Sequence, residues 1–140
     1  MDEKLLQVEE FTDPGFKTLF AFGTWRVAIL NYLDEIEPTQ IKYVERHKET
    51  DEVFILHRGQ GVLFIGEGRE HVEKLTPLVL DPGKIYNVRK GVWHSVVLSR
   101  DGSVLLVENR DTVRENSDYS ELTDEMKTLI VRSARSAGWD

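Results

Sequence analysis

Short apolar runs, each closed by residues that favour turns, are the feature that most constrains the fold of this chain. The runs EVFIL and VLFI lie on either side of Gly59-Gln60-Gly61, and Asp81-Pro82-Gly83 and Asp101-Gly102 punctuate the sequence further on. Glycine supplies the positive φ that tight turns need, and strands joined by tight turns pair antiparallel. We therefore expect hairpins at Gly59-Gln60-Gly61 and at Arg100-Asp101-Gly102-Ser103. The stretch from Leu19 to Tyr32 also indicates a strand, with a break or bulge at Gly23. Many short strands in succession predict an antiparallel sandwich or barrel.

The end of the chain has a helical period instead. Its apolar residues at helical spacing are Leu122, Met126, Leu129 and Ile130. Asp118 followed three residues later by Glu121 resembles a capping box, and Gly138 suits the helix end. We therefore expect a single domain over residues 1–140, with a barrel at about 16–110 and a helix at about 119–137 packed outside it.

Composition narrows the functional class. The chain has 140 residues, 40% hydrophobic and 31% charged, which suits one domain with a real core. Its net charge of -7 and the lack of a dense basic run argue against nucleic-acid binding. The absence of cysteine excludes disulfides, thiolate zinc sites and thiol catalysis. The start, MDEKLLQVEE, does not resemble a secretory signal, and no apolar run approaches membrane-spanning length, so we expect a cytoplasmic protein without membrane contact.

Two carboxylates and an imidazole lie close together where a strand should begin to face the core. Glu45 and His47 share a face if Gln40 to His47 is a strand, because side chains alternate with a period of two. Glu52 heads the next apolar run, and a buried carboxylate there is costly unless it is paired or bound to a metal. The simpler alternative is an exposed, charged edge.

His94 stands on a predicted strand directly after a turn at Gly91. A strand-borne histidine flanked by Val96 and Leu98 on its own face is usually a hydrogen-bonded core residue. Taken alone, it therefore gives little support to a metal site.

Together, the two segments resemble the two motifs of the cupin family. The first cupin motif is His-any-His, three or four residues, Glu, six residues, Gly. The chain has Glu45-Arg46-His47, four residues, Glu52, six residues and Gly59. The spacing is kept, and Glu45 stands where the first metal histidine of the family usually is.

The second motif is also kept in spacing. In the family it is Gly, five residues, Pro-any-Gly, two residues, His, three residues, Asn. The chain has Gly83, five residues, Arg89-Lys90-Gly91, two residues, His94, three residues and Leu98. Arg89 and Leu98 replace the proline and the asparagine.

The resemblance implies a fold and a metal site. The fold is all-β, an antiparallel double-stranded β-helix or jelly-roll-like barrel, here with a C-terminal α-helix. The implied metal ligands are Glu45, His47, Glu52 and His94. Two imidazoles and two carboxylates suit a divalent Zn, Mn, Fe or Ni ion and cancel its charge. Some cupins have lost the metal, which leaves a barrel with a polar but empty mouth as the alternative.

A closer resemblance is to the ureidoglycolate lyase family of small cupin-type proteins. It rests on Glu-Arg-His at 45–47 with Thr50, Phe54 and Gly59, and on GVWHSVVL at 91–98 followed by an apolar strand that ends in ENR. The resemblance implies cleavage of ureidoglycolate into glyoxylate and urea. The N-terminal third of the chain has no matching substrate signature.

Three further residues are candidates for catalysis or substrate binding. Tyr43 shares the face of the first two ligands, so it would donate a hydrogen bond to a bound oxyanion or simply line the barrel. One of Glu108 and Asn109 must face inward, and an inward Glu108 would be a general base. Arg89 would pair with a substrate carboxylate or remain a solvated turn residue.

Three other residues fall outside the predicted site. His57 lies on the face opposite Glu52, and His71 belongs to a polar loop that should be exposed. Trp93 points away from the face of His94, so we expect it under the helix or at a subunit contact.

The leading functional hypothesis is a metal-dependent enzyme acting on a small hydroxy acid or sugar-like molecule. A non-catalytic cupin that binds or senses a small polar ligand is the second hypothesis, and a structural barrel that acts only through dimerisation is the third. The expected partners are a small-molecule ligand and a second copy of the chain in a homodimer, without nucleic acid or membrane.

Overall fold

The computed structural model describes residues 1–139, so the predicted domain end at residue 140 lies outside the described part. The strands are β1 (Gly15–Phe22), β2 (Trp25–Asn31), β3 (Tyr43–His47), β4 (Glu52–Arg58), β5 (Gly61–Glu67), β6 (Lys74–Val79), β7 (Ile85–Val88), β8 (Trp93–Leu98), β9 (Ser103–Asn109) and β10 (Ser117–Glu121). One α-helix, α1 (Asp124–Ser136), follows the last strand. Short 3₁₀ turns lie at Asp34–Ile36, Pro38–Gln40 and Arg114–Asn116.

The strands form two five-stranded antiparallel sheets. The first sheet has the order β1-β2-β9-β4-β7 and the second has the order β10-β3-β8-β5-β6. Their facing sides enclose a core that includes Phe54 and Leu106 from the first sheet and Leu63 and Leu98 from the second. The predicted all-β, double-sheet fold is therefore confirmed.

Helix α1 covers the outer side of the second sheet. Met126 and Ile130 are buried with Phe64, Val97 and Trp93 in a second apolar cluster, and this places Trp93 beneath the helix as predicted. Burying each large apolar side chain contributes about 1.5–3 kcal/mol, so the helix is part of the folded unit. No helix in the described part of the chain has the length and apolar character needed to cross a membrane.

The predicted start of the helix is wrong. Asp118 and Glu121 belong to β10, which pairs in register with β3, and the helix begins at Asp124. Thr123 is the actual N-cap, because its Oγ1 accepts a hydrogen bond from the backbone N–H of Met126 at 3.2 Å. The apparent capping box fails because the backbone hydrogen bonds of this segment are made to a neighbouring strand.

The strand predicted from Leu19 to Tyr32 is broken at Gly23, one of the two alternatives expected there, and forms a hairpin. Gly23 adopts a φ of 57°, in the left-handed region that glycine tolerates, and the chain reverses there between β1 and β2. The bulge lies elsewhere, between Thr18 and Phe20 of β1, where the register with β2 shifts.

The two sheets meet at one end around the predicted ligands. Glu52 begins β4 in the first sheet. In the second sheet, Glu45 lies in the middle of β3, His47 ends it, and His94 is the second residue of β8. The first sequence motif thus spans both sheets, and His94 of the second motif lies beside Glu45 of the first.

Candidate metal centre

Four side chains converge at one end of the barrel: Glu45, His47, Glu52 and His94. Each offers one ligand atom, and these atoms all lie within 4.8 Å of one another. Glu45 and His94 are direct cross-strand partners, and Glu45 and His47 share a face of β3, which explains why three of the four meet. His47, Glu52 and His94 are buried, and the Glu45 side chain is 38% exposed. The predicted grouping is present.

Both imidazoles aim the same ring nitrogen at one carboxylate oxygen. Nε2 of His47 lies 3.1 Å from Oε1 of Glu52, and Nε2 of His94 lies 2.9 Å from the same atom. Oε1 of Glu45 is 3.8 Å and 3.9 Å from these two nitrogens. The four donors therefore surround a common point.

The other ring nitrogens have hydrogen-bond partners that fix the tautomers. Nδ1 of His94 lies 3.0 Å from the carbonyl oxygen of Val92, which can only accept, so Nδ1 carries the proton. Nδ1 of His47 lies 2.9 Å from Oγ of Ser117, and that hydroxyl donates its own hydrogen to the carbonyl of Val113 at 2.9 Å. Ser117 therefore accepts from His47. In the neutral form, both histidines turn a bare Nε2 lone pair toward Glu52.

Two lone pairs facing a carboxylate oxygen at hydrogen-bond distance require a cation or protons between them. Without a metal, protons fill that role: burial of the His47 and His94 rings disfavours their charged forms, but the hydrogen bond to Glu52 and its charge outweigh burial and raise the pKa of both. Burial likewise opposes ionisation of Glu52, yet the two histidines lower the pKa of this carboxyl. The cluster is built to hold positive charge at its centre.

The donor set fits a divalent metal ion. A tetrahedral ion with bonds of about 2.1 Å holds its donors about 3.4 Å apart, and the pairs measured around Nε2 of the two histidines span 2.9–3.9 Å. Two imidazoles and two carboxylates are ligands that zinc, manganese, iron and nickel accept. The identity of the metal stays a prediction, as does its binding.

Glu108 adds a third carboxylate beside the four. It is 6% exposed, and its Oε2 lies 3.8 Å from Nε2 of His47 with no hydrogen-bond partner within residues 1–139. Burial and the neighbouring charge of Glu52 raise the pKa of Glu108 to about 7, against the opposing effect of Arg26. The sequence left open which of Glu108 and Asn109 faces inward. The structure turns Glu108 inward, and the Asn109 side chain donates instead to the carbonyl of Glu49.

Arg26 is a site residue that the sequence analysis missed. Its Nη2 donates to Oε1 of Glu108 at 2.6 Å and to the carbonyl of Thr112 at 3.2 Å, and its side chain is 16% exposed. The signal was present in the alternation of β2, where Arg26 shares a face with Ala28 and Leu30. A lone arginine on an apolar inward face needs a buried acidic partner. Ser117, which orients His47, was also missed, since it lies between the predicted barrel and the predicted helix, where no element was expected.

A cavity of about 680 Å³ opens onto the metal centre, a size suited to a small molecule. Its rim is aromatic and basic: the rings of Tyr43 and Tyr119 meet edge-on at 6.4 Å, and the guanidinium of Arg114 lies 4.6 Å from the centre of the Tyr119 ring. Burial and the charge of Glu45 raise the pKa of Tyr119, so this hydroxyl keeps its proton. Tyr43 lines the cavity and is 50% exposed; its role as a hydrogen-bond donor to a substrate stays a prediction.

Arg89 does not share this location. It is exposed in the turn before β8 and stands outside the set of described residues that line the cavity. The basic cavity residues are Arg26, Lys42 and Arg114 instead. His57 and His71 are exposed and take no part in the cluster, as predicted.

Comparison with known proteins supports the fold but shows no function for this chain. No protein-family model matches the sequence, and no curated protein matches it either. Among solved structures, a cupin-2 domain protein from Shewanella frigidimarina is 22% identical over 71% of this chain and 85% of that one, with a TM-score of 0.50. A Streptomyces Pac13 variant with uridine is 12% identical over 84% of this chain and 88% of that one, with a TM-score of 0.56.

A further structural likeness points to the same fold. Pac13, described as a nucleoside dehydratase, gives a TM-score of 0.55 at 12% identity over 84% of this chain and 88% of that one. These likenesses show a cupin fold. The geometry of this chain adds a four-residue cluster that could hold a metal ion at the mouth of the barrel.

Proposed function

We propose that this cupin is a metal-dependent enzyme that acts on a small hydroxy acid. The observation that carries the proposal is the convergence of four ligand atoms beside a buried carboxylate, Glu108, whose Oε2 has no partner within the described chain. A carboxylate held by Arg26 at the edge of the candidate metal centre is well placed to accept a proton from a substrate hydroxyl. The proposal keeps the cytoplasmic setting expected from the sequence.

When bound, a divalent ion at this centre would supply Lewis-acid polarisation of a substrate hydroxyl or carbonyl oxygen. The ion would be held by the four predicted ligands, Glu45, His47, Glu52 and His94. Glu108, next to His47, would accept the proton of the substrate hydroxyl. Arg26 would hold Glu108 in place through its 2.6 Å hydrogen bond.

The most specific form of the proposal is ureidoglycolate cleavage, as the motif resemblance implies. Glu108 would take the hydroxyl proton while the carbon–oxygen double bond of glyoxylate forms and the carbon–nitrogen bond breaks. Glu108 would then pass that proton to the nitrogen, which leaves as urea, and would return to its ionised form. Because Arg89 is exposed outside the cavity, Arg114 on the cavity rim is the better candidate to pair with the substrate carboxylate.

The test combines metal analysis with an assay of urea release from ureidoglycolate. We expect the purified protein to hold about one metal ion per chain and to release urea, and His94→Ala to lose both the metal and the activity while its circular dichroism is unchanged. Glu108→Gln should retain metal but lose turnover, which separates proton transfer from metal binding. Metal-loaded protein without urea release would remove this substrate, and a protein that binds no divalent ion would remove the enzyme proposal.

A non-catalytic binding role is the second candidate, and the cavity rim favours it. Tyr43, Tyr119 and the guanidinium of Arg114 form an aromatic and cationic surface on which a sugar-like or planar ligand can stack. A ligand held mainly by this rim would bind equally well after metal removal. Calorimetric titration of hydroxy acids and sugars into metal-loaded and metal-free protein distinguishes the two roles.

A further inference from the structure

A second cavity lies at the end of the first sheet opposite the candidate metal centre. On β4 and β9, Glu52 and Glu108 lie at the metal centre, whereas Arg58 and Ser103 are at the other ends of these strands. Arg58 and Ser103 line a cavity of about 400 Å³, called the distal cavity below. Its volume is in the range of small-molecule sites. The two cavities share no lining residue within residues 1–139.

A row of three polar residues forms the floor of the distal cavity. Asn31, Ser103 and Arg58 are direct cross-strand partners, so their side chains leave the same face of the sheet. Ser103 alternates with Val104, which belongs to the barrel core, so this row lies on the outer face of the sheet. The distal cavity is therefore outside the barrel.

The N-terminal segment forms the opposite wall of the distal cavity. Nδ2 of Asn31 donates to the carbonyl of Phe11 at 2.9 Å and to that of Asp13 at 2.8 Å, which ties the segment to the end of β2. Phe11 and Pro14 line the cavity together with Ile29 of β2. These side chains form an apolar wall against which a ring or an alkyl chain can pack.

Ser103 has a buried hydroxyl that nothing in the described chain satisfies. The residue is 3% exposed, and its Oγ has no hydrogen-bond partner within residues 1–139. A buried hydroxyl without a partner is costly, and such groups are few in folded proteins. Because Ser103 lies on the floor of the distal cavity, its hydroxyl is placed to bind a molecule that occupies the cavity.

The distal cavity is basic, although the chain has a net charge of -7. Arg58, Arg100 and His57 line it, and Asp101 is the one acidic residue in its described lining. Oδ1 of Asp101 already accepts a hydrogen bond from the hydroxyl of Ser99 at 2.8 Å. The cavity at the metal centre has the opposite balance, with four glutamates against three arginine and lysine residues. An anion is therefore drawn to the distal cavity rather than to the metal-free centre.

The turn that carries Arg100 is held in place by the surrounding backbone. The N–H of Gly102 donates to the carbonyl of Ser99 at 2.7 Å, and the N–H of Tyr32 donates to the carbonyl of Gly102 at 3.0 Å. The hydroxyl of Ser99 also accepts from the N–H of Gln60 at 2.8 Å. Binding therefore has to order side chains only, which lowers its entropic cost.

We propose that the distal cavity binds a small phosphate monoester, with the phosphate held by Arg58 and Arg100 and the organic group against the apolar wall. Two guanidiniums match the two negative charges of the phosphate and bind its oxygens in bidentate pairs. The hydroxyl of Ser103 donates to a third oxygen. A carboxylate has one charge and two oxygens, so it would leave one of these three donors unmatched.

The test is calorimetric titration of phenyl phosphate into the purified protein, repeated with a metal chelator present. We expect about one molecule per chain at the distal cavity, with the same affinity in both titrations, because none of the four predicted metal ligands lines this cavity. Inorganic phosphate should bind about fivefold more weakly, since it has no ring to pack against Phe11 and Ile29. Benzoate, which keeps the ring but has a carboxylate, should bind at least about tenfold more weakly than phenyl phosphate.

Variants assign the binding to the distal cavity. Arg58→Gln, Arg100→Gln should bind phenyl phosphate at least about a hundredfold more weakly; both arginines are exposed, so this variant should fold, which circular dichroism checks. Ser103→Ala should bind about tenfold more weakly, while its melting temperature without the probe is unchanged or higher, because an unsatisfied hydroxyl has been removed. The matched control is Arg132→Gln, Arg135→Gln, which removes the same charge from exposed positions of α1 and should change the affinity less than about twofold.

Four results would overturn the proposal. The first is a lack of saturable binding of phenyl phosphate, and the second is binding that the chelator abolishes, which would place the probe at the metal centre. The third is an equal loss of affinity in the two double arginine variants, which would reflect net charge alone. The fourth is benzoate that binds as tightly as phenyl phosphate, which would exclude selection of a phosphate.

Discussion

At the scale of single residues, the hydroxyl of Ser117 controls which nitrogen His47 presents to the metal centre. The hydroxyl accepts a hydrogen bond from Nδ1 of His47 and so leaves the lone pair on Nε2, which faces Glu52. Ser117 itself is not one of the four predicted ligands. Such outer partners orient the ligand and raise its basicity. The effect of a side chain on the site therefore extends beyond the four ligands.

Ser117→Ala should weaken metal binding about 10- to 100-fold, because His47 loses the acceptor that fixes its tautomer. The measurement is a competition titration against a metal chelator of known affinity. Ser133→Ala is the control, since its hydroxyl bonds only to the backbone of α1. Equal affinity of the Ser117→Ala protein and the wild type would show that His47 is oriented by other contacts.

Glu108→Gln should stabilise the metal-free protein at alkaline pH. The pKa of Glu108 is raised from 4.5 to about 7, so folding favours its protonated form, and stability is lost as pH rises between these values. Glutamine stays neutral and can still accept from Arg26. We expect a gain of about 1–3 kcal/mol at pH 8 and little change at pH 4, measured by urea unfolding. An equal gain at both pH values would exclude titration of Glu108 as the cause.

The sequence predicted the four ligands of the site but not the residues that position them, Arg26 and Ser117. Glu45, His47, Glu52 and His94 were identified because the motif spacing fixes their strand parity, and parity sets which side chains meet. Glu108 was left undecided against Asn109, because the parity of β9 depends on its register with β2 and β4. That register is a long-range property that local sequence does not encode.

At the scale of elements, α1 is held by a narrow buried stripe. Ile130 is fully buried against the second sheet, whereas Lys127, one turn earlier, is exposed. Ile130→Ala should lower the free energy of unfolding by about 2–5 kcal/mol, since truncation leaves a cavity under the helix. Lys127→Ala should change it by less than about 0.5 kcal/mol. Thermal unfolding of both variants checks this, and similar effects of the two would mean that the helix is loosely docked.

The positions of turns were predicted better than the pairing of the strands they join, because glycine and aspartate turns act locally. The hairpins predicted at Gly59-Gln60-Gly61 and at Arg100-Asp101-Gly102-Ser103 are wrong: β4 and β5 belong to different sheets, and so do β8 and β9. Strand β10 was missed because its pairing, too, is long-range. Its sequence, Ser117 to Glu121, is polar and mimics a helix start, and it becomes a strand because β3 offers it a complete set of backbone partners. Pairing across some seventy residues overrides the local preference.

At the scale of the whole molecule, the metal centre joins the two sheets. Glu52 comes from the first sheet and the other three ligands come from the second, so a bound ion links both halves of the barrel. A ligand that binds only the folded state stabilises it, by about 2.7 kcal/mol at a hundred times its dissociation constant. Chelation should therefore lower the melting temperature of the metal-loaded protein, and an unchanged temperature would show that no ion had been bound.

The pH of maximum stability should move when the metal binds. In the metal-free protein, the raised pKa values of His47 and His94 contribute stability that is complete below 6.5 and lost as pH rises through their folded values. The lowered pKa of Glu52 contributes stability present above 4.5 and lost on acidification. The metal-free protein should thus be most stable at mildly acidic pH. Metal competes with protons for both histidines, so its added stability should grow with pH; melting curves with and without chelator across pH test this.

Because no single sheet holds all four ligands, the centre exists only after the barrel has closed. During synthesis and refolding the chain meets the cellular ion pool as an open polymer, and its isolated motifs offer at most three donors on one side. High affinity for a metal would therefore arise at the last step, and a finished cavity of fixed size rather than a nascent chain would select the ion. Metal uptake would then be a bimolecular event that follows folding, and we expect its rate to scale with the concentration of free ion while the folding rate does not.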